Sequence, residues 1–223
     1  MQCQSDEQYS DEYEERISQS DGLSISVTEN VTQIDTPRLT LRKPHCDDID
    51  AISTLTNDIA VASMLSRMPY PYKRTDAEDF VNKVAKLENG NCVYAITLNE
   101  TGEFIGCCGI EKKQGRERME IGYWLGKSHW GKGYATEAAH ALVDKAFRIC
   151  KVEEIIGRCR IGNMASRSVL QKSGFQFIGT GMNYSLAHDT QVPVELYRLE
   201  RKVWDSLRNW PETIEQQTEL KGG

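Results

Sequence analysis

The 223-residue chain is 39% hydrophobic and 27% charged, the balance of an ordinary globular protein, and its length suits one domain of roughly 150–200 residues with tails. No apolar run approaches the roughly 20 residues that span a bilayer, and the N-terminus lacks a basic start followed by an apolar stretch, so no membrane contact and a cytoplasmic location are expected. The net charge of −6 divides into −8 over residues 1–36, where nine acids face Arg16 alone, and +2 over the rest; a nucleic-acid binder would show a concentrated basic face instead.

In chain order, residues 1–35 read as an acidic, flexible leader. A folded domain is expected over 36–205 and a frayed tail over 206–223. The domain opens with RLTLR (38–42), alternating in the period of a half-buried strand. Ile49, Ile52, Leu55, Ile59, Ala62 and Leu65 then recur at helical spacing behind Asp47, the expected N-cap, which predicts one or two helices. After the prolines of MPYPYKR, Thr75 with Glu78 three residues on predicts a capping box and a further helix.

Three strands are predicted at 92–98, 104–111 and 119–125, joined by polar turns as an antiparallel meander. A helix at 133–148 buries a broad alanine- and leucine-bearing face. A strand at 153–161, a helix at 164–173 and strands near 175–187 and 193–203 complete a mixed α/β fold of six or seven strands with flanking helices. The GTG at 179–181 is not followed by a helix and reads as a bend or bulge.

Seven cysteines without a CxxC pair and four scattered histidines suggest neither disulfide framework nor metal centre. Cys107 and Cys108, adjacent in a strand, point to opposite faces and read as core.

The segment Trp130-Gly131-Lys132-Gly133-Tyr134-Ala135-Thr136 lies between a strand and a helix start. Its glycines let the backbone approach a ligand, and the helix start offers unpaired N–H groups to a pyrophosphate. A simple tight turn explains a GxG equally well. The nucleotide motifs GxxxxGK[ST] and GxGxxG are absent, since Thr136 stands at the last glycine position of the second.

Taken with EIGYWL (120–125), Asn163-x-x-Ser166 and Gly174-Phe175, this segment resembles the GNAT superfamily of acyl-CoA N-acyltransferases, and within it the RimJ/RimL-like ribosomal-protein N-terminal acetyltransferases. The likeness covers residues 36–205. It matches the superfamily pattern [QR]xxGx[GA] over 130–135, with Trp130 in place of Gln or Arg. The resemblance implies acetyl-CoA as cosubstrate, no metal, and a central crevice where the strand carrying EIGYWL splays from the next parallel strand.

Main-chain groups of Trp124, Leu125 and Gly126 are then expected to hold pantetheine, and residues 130–136, with Asn163 and Ser166, the rest of the coenzyme. Lys132 reads either as a phosphate contact or as a solvated loop lysine. Glu120, an acid in an otherwise apolar strand, reads by itself as exposed or salt-bridged; the resemblance makes it the base that deprotonates the amine. The amide of Trp124 stands where relatives supply the oxyanion donor. The tyrosine that many relatives place four residues before the GF pair is Leu170 here. Ser166, otherwise a polar residue beside the cap Asn163, is therefore the expected partner of the departing sulfur.

The implied activity is acetyl transfer to a primary amine, foremost a protein N-terminal α-amine. The alternatives are a small amine such as an antibiotic or polyamine, or a catalytically silent acyl-CoA-binding module. The expected assembly is a monomer or homodimer.

Overall fold

The computed structural model describes residues 33–87, 91–112, 118–150 and 152–208; the leader to residue 32 and the tail from 209 lie outside the described residues, as do 113–117 of the expected turn before residue 119. The strands are β1 (Gln33–Asp35), β2 (Leu39–Arg42), β3 (Cys92–Leu98), β4 (Phe104–Lys112), β5 (Met119–Leu125), β6 (Glu154–Arg160), β7 (Gln176–Ser185) and β8 (Thr190–Glu200). They form one sheet in the order β1-β2-β3-β4-β5-β6-β8-β7. Every neighbouring pair is antiparallel except β5–β6, which is parallel.

Helices α1 (Ile49–Thr56), α2 (Ile59–Ala62) and α3 (Arg74–Ala85) precede β3; α4 (Tyr134–Arg148) and α5 (Met164–Lys172) flank β6 in the chain. One face of the sheet packs against α1 and α3 through Ile49, Ile52, Val81, Phe104 and Cys107, with Trp124 at its margin. The other face receives α4, whose Leu142, Ala146 and Phe147 are fully buried. Burying a side chain the size of Leu142 or Phe147 contributes roughly 1.5–3 kcal/mol.

Eight strands rather than six or seven result because Gln33–Asp35 pairs with β2, placing part of the expected leader in the sheet. Three residues are too few to display a period. The strand expected to run to residue 203 stops at Glu200, and residues 201–208 are helical. Trp204 causes the turn inward: its ring stacks on Phe147 at 5.2 Å and its indole N–H donates to Asp144 at 2.8 Å. In β7, the expected irregularity at the GTG is a register shift between Phe177 and Gly179.

Two caps differ from expectation. Helix α3 begins at Arg74, where the Asp76 carboxylate accepts the Lys73 N–H at 2.7 Å; Thr75 lies inside the helix and does not cap it. Ahead of α1, Asp47 is exposed, and the buried acid is Asp48, which accepts two hydrogen bonds from Arg42 (2.8 and 2.7 Å) and one from the His45 amide (2.9 Å). Burial pushes the Asp48 carboxyl up, but those hydrogen bonds and the Arg42 charge outweigh it and leave it below its ordinary value.

A carboxyl depressed in the folded state stabilises the protein above its unfolded value of about 3.9, and the contribution is lost as pH falls through the folded value. Asp48→Ala, which strands the Arg42 guanidinium, is expected to cost about 3 kcal/mol at neutral pH. It should also flatten the acid limb of a urea-stability profile; an unaltered profile would refute the assignment.

Candidate active site

The parallel pairing of β5 with β6 covers only Met119, Glu120 and Ile121 against Ile155, Ile156 and Gly157. Beyond it, Gly122–Leu125 and Arg158–Arg160 have no partner on each other, so the sheet opens into a gap. A cavity of about 800 Å³ runs through this gap, from Arg67, Glu111 and Glu120 on the α1–α3 face to Thr136, Ser166 and Leu170 on the α4–α5 face.

The loop before α4 is built by two glycines in the left-handed region, Gly131 (φ 75°) and Gly133 (φ 83°), where residues with a Cβ are disfavoured. Gly133 is the N-cap of α4 and supplies no side-chain cap. The first helical bond runs from the Glu137 N–H to the Gly133 carbonyl, and among the described residues the amides of 131–136 have no protein acceptor. Six donors at the positive end of a 15-residue helix fit a pyrophosphate.

Arg38 holds this loop in place. It donates to the Lys132 carbonyl at 2.9 Å and to the Glu137 carboxylate at 2.6 Å, and lies 4.8 Å above the Tyr134 ring. Burial raises the Glu137 carboxyl, but donors from Thr36 and Arg38 bring it below its ordinary value. Lys132 itself is exposed. Trp130, at the motif's departure from Gln or Arg, donates its indole N–H to the Leu125 carbonyl at 2.8 Å and so pins the loop to β5.

That bond also shows which main-chain groups face the gap. The Gly126 N–H donates to the Ile105 carbonyl in β4 at 2.9 Å, and its carbonyl accepts from His129 at 2.9 Å. By strand alternation, Trp124, paired with Cys107, likewise directs its main chain to β4, whereas Tyr123 and Leu125 direct theirs into the gap. Of the residues expected to offer main-chain groups to the gap, Trp124 and Gly126 therefore turn theirs to β4, while those of Tyr123 and Leu125 face the gap. Trp124 serves as a wall, its ring 6.0 Å from that of Phe104. Gly106 makes this approach possible, since a Cβ there would lie 2.1 Å from the Trp124 carbonyl oxygen.

Glu120, 13% exposed, lies 3.4 Å from the Nε of Arg158, a buried guanidinium nitrogen with no hydrogen-bond acceptor among the described residues. Beside it on the same face, Gly122 leaves open space where a side chain would project. On the opposite face the Asn163 side chain accepts the Ser166 N–H at 3.1 Å, the N-cap of α5. The Ser166 hydroxyl lies 3.0 Å from the Tyr123 hydroxyl, which also donates to the Ser166 carbonyl at 3.1 Å. Burial pushes the Tyr123 phenol up more than its Ser166 hydrogen bond lowers it, so it stays protonated.

Leu170 is fully buried and reaches to within 2.5 Å of where a Gly157 Cβ would stand, so the position is core. Cys107 and Cys108 are buried on opposite faces, each thiol pushed well above its ordinary value by burial. Among the described residues no group of three ligating side chains is placed to hold a metal, and no helix is long and apolar enough to cross a membrane. Sequence reasoning missed Arg38, Arg158 and Tyr123. Of these, only Tyr123 carried a signal, its place within EIGYWL.

The family model for the acetyltransferase (GNAT) domain matches residues 38–176. The uncharacterized N-acetyltransferase p20 of Bacillus licheniformis is 32% identical over 172 residues, 75% of this chain and 95% of its own. The ribosomal-protein-serine acetyltransferase of Escherichia coli is 32% identical over 78 residues, 35% of this chain and 44% of that protein. A solved acetyltransferase (GNAT family) from Bacillus anthracis superposes with a TM-score of 0.67 at 25% identity, covering 76% of this chain and 99% of its own. With a splayed β5–β6 pair, a glycine loop of free amides on a helix start and these relatives, the chain belongs to the GNAT family and is an N-acetyltransferase that takes its acetyl group from acetyl-CoA.

Proposed function

We propose that this enzyme acetylates the α-amine of a protein N-terminus, with Glu120 as base and Ser166 as donor to the departing sulfur. The observation that carries the reading is the position of Glu120: on the wall of the cavity, beside the open space at Gly122, where the sheet parts. The name of the E. coli relative supports a ribosomal-protein acceptor.

When bound, the coenzyme supplies an activated thioester. The free amides of residues 131–136 would hold its phosphates, and the gap-facing groups of Tyr123 and Leu125 its pantetheine. An alkyl ammonium has no lone pair, so Glu120 must first accept its proton, directly or through a water. A gap-facing amide steadies the oxyanion formed on attack. Ser166 then donates toward sulfur, its hydroxyl positioned by Tyr123.

The acceptor side favours a slim chain. The Leu186 N–H donates to the Ser66 carbonyl at 3.0 Å, and Arg160 donates to the Ser63 carbonyl and contacts His188 Nε2 at 2.7 Å. These contacts tie the segment after α2 to the β7–β8 turn across the cavity. Coenzyme-thiol release should be measured against peptides with free N-termini and against polyamines and aminoglycosides. Peptides are expected to turn over at least tenfold more efficiently; the reverse order would make the enzyme a small-amine acetyltransferase.

A further inference from the structure

Glu111 and Glu120 are directly opposed residues of β4 and β5, which places their side chains on one face, with Cβ atoms about 4.5–5.5 Å apart. Both line the cavity. Two carboxylates so close repel unless cations face them, and each has a guanidinium: Arg158 Nε at 3.4 Å from Glu120, and Arg67 Nη2 at 2.6 Å from Glu111.

The two arginines differ in kind. Arg158 rises from β6 and its side chain is 16% exposed, so it is part of the wall. Arg67 belongs to the segment that roofs the cavity, next to Ser66 with its bond to Leu186, and its side chain is 64% exposed. An exposed ion pair contributes little net stability because both ions are well solvated when apart, so one cation exchanges for another at small cost. Glu111, 19% exposed beneath it, keeps its place in the strand whichever cation it faces.

We propose that Glu111 is the docking carboxylate for the acceptor's ammonium, with Arg67 as the cation it displaces. The incoming ammonium takes the place of the Arg67 guanidinium on Glu111 and is held one strand away from Glu120, which removes its proton. The free amine then stands over the open space at Gly122, on the path to the gap. This deepens the proposed function and rests on it: Glu111 selects and positions a cationic primary amine, while Glu120 performs the chemistry. Arg67 then tunes affinity by competition.

Steady-state kinetics with the best peptide acceptor test the idea. Glu111→Gln is expected to raise the acceptor KM at least tenfold, with kcat changed less than about threefold and the acetyl-CoA KM unaltered. Arg67→Ala is expected to lower the acceptor KM severalfold by freeing Glu111, and to have no such effect when Glu111→Gln is already present. Thermal melts establish that each variant is folded.

An acceptor KM unmoved by Glu111→Gln, or raised by Arg67→Ala, would overturn the proposal, the second result making the pair a prop for the roof. Failure of Glu120 as base would show in kcat and its pH profile. It would leave these KM comparisons standing, so the two ideas fail separately.

Discussion

Gly133→Val is expected to weaken acetyl-CoA binding at least tenfold, about 1.4 kcal/mol, in a protein that still folds. Gly133 stands at φ 83° and ψ −1°, a conformation that costs an L side chain roughly 1–2 kcal/mol, more when branched at Cβ. A Cβ there would also approach Arg38 Nη2 to 3.3 Å, and that guanidinium ties Lys132 to Glu137. The backbone must therefore rotate at the residue that begins α4, turning the amides of 131–136 away from their common focus. The core face of α4 lies further along, at Leu142 and Phe147, and should be undisturbed. Calorimetric titration with acetyl-CoA measures the loss. Unchanged affinity in a folded variant would remove the loop from the coenzyme site.

That loop was legible because its chemistry is local: two glycines, a helix start and the strand before them lie within one short stretch. Helix α4 was legible for a related reason, its apolar face repeating at helical period over 15 residues. What stayed hidden depends on partners distant in sequence. Arg38 meets Glu137 across 99 positions, and nothing near either residue signals the other. Asp47 and Asp48 are equivalent as acids before a helix, and only Arg42 decides which is buried.

The end of β8 was misjudged because Val203 keeps the apolar parity of Tyr197 and Leu199, yet Arg201 breaks that period and the packing of Trp204 on Phe147 selects a helix. The amide direction along β5 was misjudged because composition does not encode it. It follows from which carbonyl of β4 the Gly126 N–H reaches, a matter of register. A residue-by-residue likeness carries over positions on β5 but not the direction in which their main-chain groups turn, which at Trp124 and Gly126 is toward β4.

Under the proposed mechanism the two faces of the sheet divide the reaction between them. Residues 120, 122 and 124 lie on the α1–α3 side with the cavity roof, and 121, 123 and 125 on the α4–α5 side with Ser166. With the proposed roles of Glu120 and Ser166, the acceptor and the departing sulfur would be served from opposite faces, with the thioester in the β5–β6 gap between them. Changes on one face should therefore act on the amine, and changes on the other on the leaving group.

Glu120→Gln puts that division to the strongest test. Glutamine keeps the shape and can still lie beside Arg158, so acetyl-CoA affinity and thermal stability should stay close to wild type. Turnover at neutral pH should fall by roughly 10²–10⁴-fold, the usual contribution of a positioned base. The deficit should shrink as pH rises, because more of the amine then arrives already neutral and needs no base. Ser166→Ala, acting on the departing sulfur, should cost less and show little recovery with pH, because its role does not depend on the amine's protonation. A Glu120→Gln enzyme that binds acetyl-CoA normally and turns over at the wild-type rate across the pH range would end the assignment and pass the proton to solvent. A variant that loses activity without recovery at high pH would make Glu120 a structural partner of Arg158.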